Sequence, residues 1–191
     1  MLGLKQENEA ESYRAKLLLN SKVCVILLIY MDHHNHQTHI DVEKEHPGQT
    51  FLFSYGSNNP RQAAERLEVD YAWLCRHTIA CKAINRVLTF GLYSQRWGGS
   101  VANLSHKQGE HCKGLAYLLP NDVIERMDKY EGGYEKETVD LETHGKHFKG
   151  IAYVQKKWEG GWHYPSRRYL EAIGKTLVHY FHCKKVLEHH K

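Results

Sequence analysis

The chain has 191 residues, 41% of them hydrophobic and 25% charged, and a formal net charge of +4. That length predicts one domain with a core of its own, in a globular protein of ordinary composition. The positive charge is scattered apart from Lys184-Lys185, and no basic stripe is interleaved with aromatics, which sets nucleic-acid binding aside.

Residues 1–48 read as an N-terminal extension, expected to be mobile, ahead of a domain at 49–191. The extension is charged at first, apolar over Val23 to Met31, then rich in histidine up to Pro47-Gly48, a turn-forming pair that marks the boundary. The apolar run is too short to cross a bilayer. Glu7, Glu9 and Glu11 precede it, where a signal peptide would carry positive charge. Met31 offers an alternative start that would remove the run. His33, His34, His36 and His39 have metal-ligand spacing, but Asp32 and Asp41 are their only acidic neighbours. The tract therefore reads as a polar segment, and neither a metal nor another cofactor is expected.

The domain predicts short strands with few helices. Thr50 to Ser54 is the first strand, and Pro60 to Glu68 a helix carrying Ala63, Ala64 and Leu67. Ala83 to Tyr93, Val101 to Leu104 and Gly114 to Leu119 are further strands. Asn121 can cap a short helix through Ile124 and Met127 that ends near Gly132. Glu137 to Thr143 and Gly150 to Val154 complete the strands, and Ser166 caps a helix with the stripe Leu170, Ile173, Leu177 and Phe181. Strands that do not alternate one for one with helices argue against a wound parallel sheet. They predict an α+β fold, a small mixed β-barrel with flanking helices. Five cysteines, Cys24, Cys75, Cys81, Cys112 and Cys183, are widely spaced without a Cys-x-x-Cys pair. Neither a zinc ribbon nor a redox pair follows, and reduced thiols in the cytoplasm fit best.

The most informative stretch follows the first strand. Tyr55-Gly56-Ser57-Asn58 leads through Asn59-Pro60 into a helix. This order aims backbone N–H groups at one point, where they attract anions. Gly56 can take a positive φ and lets a ligand approach. Asn58 or Asn59 can cap the helix, and Pro60 suits its first turn. The pattern predicts a pocket for a small carboxylate or phosphate. Glu131 would lie at the end of the short helix, before Gly132-Gly133, where the negative dipole end raises a carboxyl pKa. From position alone it reads as a solvated carboxylate beside a helix-ending glycine. Ser57 lacks the glycine elbow of a serine nucleophile, and no triad can be assigned among 15 histidines.

Tyr55-Gly56-Ser57-Asn58 resembles the start of the gamma-glutamylcyclotransferase family. Further segments agree in order: Arg96 to Ala102 with its Gly98-Gly99 pair, Gly114-Leu115-Ala116-Tyr117, Met127 to Gly132, and Tyr164-Pro165-Ser166-Arg167-Arg168-Tyr169. The resemblance spans residues 50 to 183. It implies that Glu131 is the catalytic acid and base. It further implies that Leu52, Phe53, Ser54, Tyr55, Gly56, Ser57, Asn58, Tyr134 and Tyr169 bind substrate. Asp128 then falls on a structural position, as a local capping or salt-bridge group. The implied reaction is cyclisation of a γ-glutamyl amino acid to 5-oxoproline without a cofactor. The implied partner is a small γ-glutamyl molecule rather than nucleic acid or membrane, with a homodimer left open. Two departures stand out: only Gly133 separates Gly132 from Tyr134, and Asn59 stands where the family usually has an apolar residue. Enzymes acting on γ-glutamylamines or glutathione tend to carry Leu where this chain has Asn58. A non-catalytic member of the fold that binds a small ligand or a protein is the alternative from another class.

Overall fold

A computed structural model describes residues 38–155 and 164–175. The chain divides after His36 into two units, and every described residue lies in the second. Its elements are β1 (Thr38–Ile40), α1 (Val42–Glu45), β2 (Gln49–Ser54), α2 (Pro60–Leu67), α3 (Tyr71–Arg76), β3 (Thr78–Ser94), β4 (Gly99–Pro120), α4 (Asn121–Glu125), a 3-10 turn (Asp128–Tyr130), β5 (Tyr134–Thr143) and β6 (Lys146–Gln155). Residues 167–175 are helical and are called α5.

The strands run in the order β1-β6-β2-β4-β3-β5, and β5 pairs back onto β6. Five strands thus close into a barrel, and β1 is added to β6 outside the ring. Closure requires one parallel pairing, β2 on β6, with Leu52 opposite Ile151 and Phe53 opposite Ala152. The other pairs in the ring are antiparallel, so the barrel is mixed, as the strand pattern predicts.

Alternation along β2 divides its side chains between two faces. Leu52, with Leu115, Tyr117 and Leu119 of β4, packs beneath Ala63, Ala64 and Leu67 of α2, Leu74 of α3 and Ile124 of α4. On the opposite face Phe51 meets Phe148 at a ring-centroid distance of 4.8 Å. The helices therefore cover β2 and β4, and they fix the direction in which β2 delivers the chain into its loop.

Several expectations are corrected. The ordered sheet begins before Pro47-Gly48: Thr38–Ile40 pairs in parallel with Lys146–Phe148, and Ile40 and Val42 are buried. A three-residue strand next to histidines offers too little alternation to be read. The strands expected at Val101 to Leu104 and Gly114 to Leu119 are two ends of continuous β4. Its middle, residues 106–111, is polar and exposed, because residues 107–110 bulge out where the register with β3 shifts between Ile84 and Arg86. The helix α3, capped by Asp70 through a 2.7 Å bond from Trp73 N, has no apolar stripe in the sequence. Asn121 does not cap α4, whose cap position is Pro120; its side chain accepts from Thr50 Oγ1 at 2.8 Å. Ser166 does cap α5, with Oγ 3.2 Å from Tyr169 N, whereas Leu177 and Phe181 fall outside the described residues. Cys81 and Cys112 are buried free thiols. Cys75 is disulfide-bonded, which corrects the expectation of uniformly reduced thiols.

Candidate active site

The loop after β2 is fixed through its carbonyls. Asn58 O accepts from Ser54 Oγ at 2.8 Å and from Tyr117 Oη at 2.7 Å, and Ser57 O accepts from Asn59 N at 2.8 Å. Asn59 then caps α2, its Oδ1 taking the Gln62 N–H at 3.2 Å, with Pro60 in the first turn. Gly56 is not among the residues with positive φ. Its small size serves a different end: a Cβ there would lie 3.4 Å from Tyr169 Oη and 3.5 Å from Ala102 Cβ.

This loop walls a cavity of ≈ 280 Å³. Every residue expected at the site lines it: Glu131, Leu52, Phe53, Ser54, Tyr55, Gly56, Ser57, Asn58, Tyr134 and Tyr169. Glu131 arrives from a distant part of the sequence, at the end of the 3-10 turn that precedes β5. Oε1 of Glu131 accepts from Asn58 Nδ2 at 2.9 Å and pairs with Arg66 Nη1 at 3.3 Å. Both hydrogen bonds fall on one oxygen, which leaves Oε2 for a ligand. Glu131 does not end the single short helix expected from Asn121 to Gly132, since α4 and the 3-10 turn are separate. Burial, not a dipole, is the largest cause that raises its pKa; the Asn58 hydrogen bond and the Arg66 charge act against it. Burial also lowers the pKa of Arg66, with Glu131 opposing. Each partner is thus pulled toward neutrality by desolvation and held charged by the other.

Three phenols frame the carboxylate. Tyr169 Oη accepts from Ala102 N at 2.9 Å, and Tyr134 Oη donates to Ala102 O at 2.6 Å. Tyr55 Oη donates to Tyr153 O. Burial is the largest cause that raises all three phenol pKa values, and the Glu131 carboxylate pushes each the same way. They remain neutral phenols, able to donate to or accept from a ligand. Asp128 takes the structural role expected of it, accepting from Tyr153 Oη at 2.5 Å and pairing with Lys136 at 2.9 Å.

The gamma-glutamyl cyclotransferase, AIG2-like family matches residues 52–171, more than half of the chain. The chain belongs to this family. No curated protein is significantly similar to it. Among solved structures it resembles a gamma-glutamyl cyclotransferase, at 21% identity and a TM-score of 0.57, over 71% of this chain and 86% of the other. It also resembles an uncharacterized protein of Homo sapiens at 22% identity and a TM-score of 0.56, over 72% and 87%. YkqA from Bacillus subtilis is similar at 21% identity and a TM-score of 0.57, over 78% of this chain and 56% of that one. At such identities these likenesses establish a common fold.

Within the family fold, the structure adds cavity residues that the sequence reading lacks: Arg66, Arg96, Trp97 and Tyr130. Arg66 has a legible signal in retrospect. Asn59, Gln62 and Arg66 fall at one-turn spacing, on the helix face above the loop. With its amide nitrogen toward Ser57 O, Gln62 places its oxygen 2.7 Å from Arg66 Nη2. Of the histidine cluster, His33, His34 and His36 lie outside the described residues and His39 is exposed. No metal-binding group occurs among the described residues. No helix among them is long and apolar enough to cross a membrane.

Proposed function

We propose that the chain is a gamma-glutamylcyclotransferase that converts γ-glutamyl amino acids, or related peptides, to 5-oxoproline and a free amine. One observation carries this reading: a buried carboxylate, Glu131, held on one oxygen at the wall of a cavity it shares with the β2 loop and three phenols. Its raised pKa suits a group that must take up and return protons.

The substrate folds so that its α-amine faces its own γ-carbonyl. Glu131 removes a proton from the α-ammonium, and the free amine attacks the γ-carbon. Main-chain N–H groups around Tyr55 to Ser57 hold the α-carboxylate or the developing oxyanion. The bond from the γ-carbon to the leaving nitrogen then breaks. Over the cycle the α-nitrogen loses two protons and the leaving nitrogen gains two, with Glu131 as carrier, so the carboxylate ends as it began. Holding both reacting groups in one cavity supplies much of the acceleration.

The Arg66–Glu131 ion pair favours a second reading, a binding member of the family in which this carboxylate is structural. Release of 5-oxoproline from a panel of γ-glutamyl amino acids, amines and glutathione by the purified chain separates the two. A cytoplasmic location accompanies the enzyme reading. The thiols of Cys81 and Cys112 support it, the Cys75 disulfide opposes it, and cell fractionation decides.

A further inference from the structure

The mouth of the cavity is built around Trp97. The guanidinium of Arg96 lies 5.7 Å from its ring centroid and that of Arg168 lies 5.4 Å from it. Inward, the Trp97 ring meets Tyr169 at 5.0 Å. Two segments far apart in sequence meet here, and both are held by backbone hydrogen bonds. The turn from β3 to β4 is closed by Trp97 N and Gly98 N on Ser94 O, at 3.2 and 2.8 Å. A Cβ on Gly99 would stand 2.6 Å from Tyr164 O and 2.7 Å from Ser166 N, so glycine is what lets residues 164–166 pass so close. Ser100 N donates to Tyr164 O at 3.3 Å. That segment leads directly into α5, whose first turn carries Arg168.

The charges there are unbalanced. Arg167 pairs with Glu171 at 3.0 Å, but neither Arg96 nor Arg168 pairs with a carboxylate among the described residues. A cation in the first turn of a helix opposes the macrodipole, so Arg168 stands at an unfavourable position that an anion would relieve. Glu131, the one acidic residue among the described residues that line the cavity, is engaged by Arg66. Both arginines are exposed, and stacking on one indole orients them.

Building on the cyclotransferase reading above, we propose that Arg96 and Arg168 bind a carboxylate on the leaving side of the substrate, so that the site selects γ-glutamyl amino acids and peptides over γ-glutamylamines. The glutamyl group folds on itself with its amine at Glu131. Its α-carboxylate, on the carbon that bears that amine, stays inside. The leaving group extends to the mouth, where Trp97 packs against its apolar part and the guanidiniums meet its carboxylate.

The test compares γ-glutamylalanine with γ-glutamylalaninamide, which differ in that one charge, on the full chain and on an Arg96→Gln, Arg168→Gln double variant. The expected result is a kcat/KM about tenfold higher for the acid in the wild type, since a hydrogen bond to a charged group is typically worth that much. The ratio should fall to about one in the double variant and shrink with added salt in the wild type, because exposed charges are screened. Equal kcat/KM for acid and amide in the wild type overturns the proposal while leaving the cyclotransferase reading intact. So does an unchanged ratio in the variant, or an equal loss on both substrates, which would place the α-carboxylate at the rim. Absence of 5-oxoproline from both substrates, and from the wider panel, overturns the reading beneath it as well.

Discussion

The side-chain amide of Asn58 donates to Glu131 Oε1 across 2.9 Å, and Arg66 Nη1 touches both, 2.6 Å from Asn58 Oδ1 and 3.3 Å from Glu131 Oε1. The loop after β2, the helix α2 and the turn before β5 are thereby tied together at a single carboxylate oxygen. A leucine at position 58 could make none of these bonds. Asn58→Leu should therefore move the acid limb of the activity profile up by about one pH unit, because a hydrogen bond that favours the charged form is lost. A pH–rate profile of the variant checks this. A limb in the wild-type place would mean that Asn58 does not control the carboxylate.

Glu131 itself sets that limb. Its folded pKa lies above the ordinary 4.5, so turnover should fall on acidification at a pH above that value. The sign for stability follows. A carboxyl with a raised pKa binds its proton more tightly in the folded chain, so its contribution to stability is full below the unfolded value and is lost as pH rises through the folded one. Arg66→Met removes a cation that lowers the pKa and leaves a buried carboxylate unpaired. The limb should rise further, and the fold should lose about 3 kcal/mol at neutral pH. Urea unfolding at two pH values tests the second point, with a smaller loss expected at acid pH, where Glu131 is neutral.

How far the sequence reaches can be seen at these residues. Tyr55-Gly56-Ser57-Asn58 is legible because an apolar run, a glycine and a helix cap follow one another within one short stretch. Glu131 is placed by its glycines and by family resemblance, although its pKa is raised by burial that no local pattern records. Arg96, Trp97 and Arg168 meet only because the β3–β4 turn and the start of α5 converge in space. The polar middle of β4 hides a continuous strand, since residues 107–110 form a bulge against β3 that leaves them exposed and free of any apolar pattern.

Tyr169 should matter to stability as well as to binding. Its hydroxyl is the acceptor for the N–H of Ala102, a buried residue of β4. Tyr169→Phe leaves that donor unpaired, at a cost of about 1–3 kcal/mol. Chemical denaturation of the variant gives the number, and an unchanged midpoint would show that water or a neighbour replaces the hydroxyl.

Two truncations separate the extension from the sheet. Removal of residues 1–36 should leave turnover unchanged, because the described residues that line the cavity all come later. Removal of residues 1–46 also takes β1 and α1, and with them the buried side chains of Ile40 and Val42. Relative to the shorter truncation it should lose about 3 kcal/mol of stability. Matching unfolding midpoints for the two proteins would show that β1 adds nothing to the barrel.

Glu131→Gln is the most direct test of the enzyme reading. Glutamine keeps the size of the side chain and an oxygen that can still accept from Asn58 and Arg66, but it cannot carry a proton. If Glu131 shuttles protons between the α-nitrogen and the leaving nitrogen, turnover should fall about 100-fold or more, the usual worth of general acid–base catalysis. Substrate binding should change far less, because Tyr55, Tyr134, Tyr169 and the loop remain in place. A structural role for the carboxylate predicts the opposite split: Arg66 would lose its countercharge, stability would drop, and the surviving folded protein would still turn over at the wild-type rate. Single-turnover release of 5-oxoproline, measured beside a calorimetric substrate titration, distinguishes the two outcomes. A folded Glu131→Gln protein with wild-type turnover would remove this carboxylate from the chemistry.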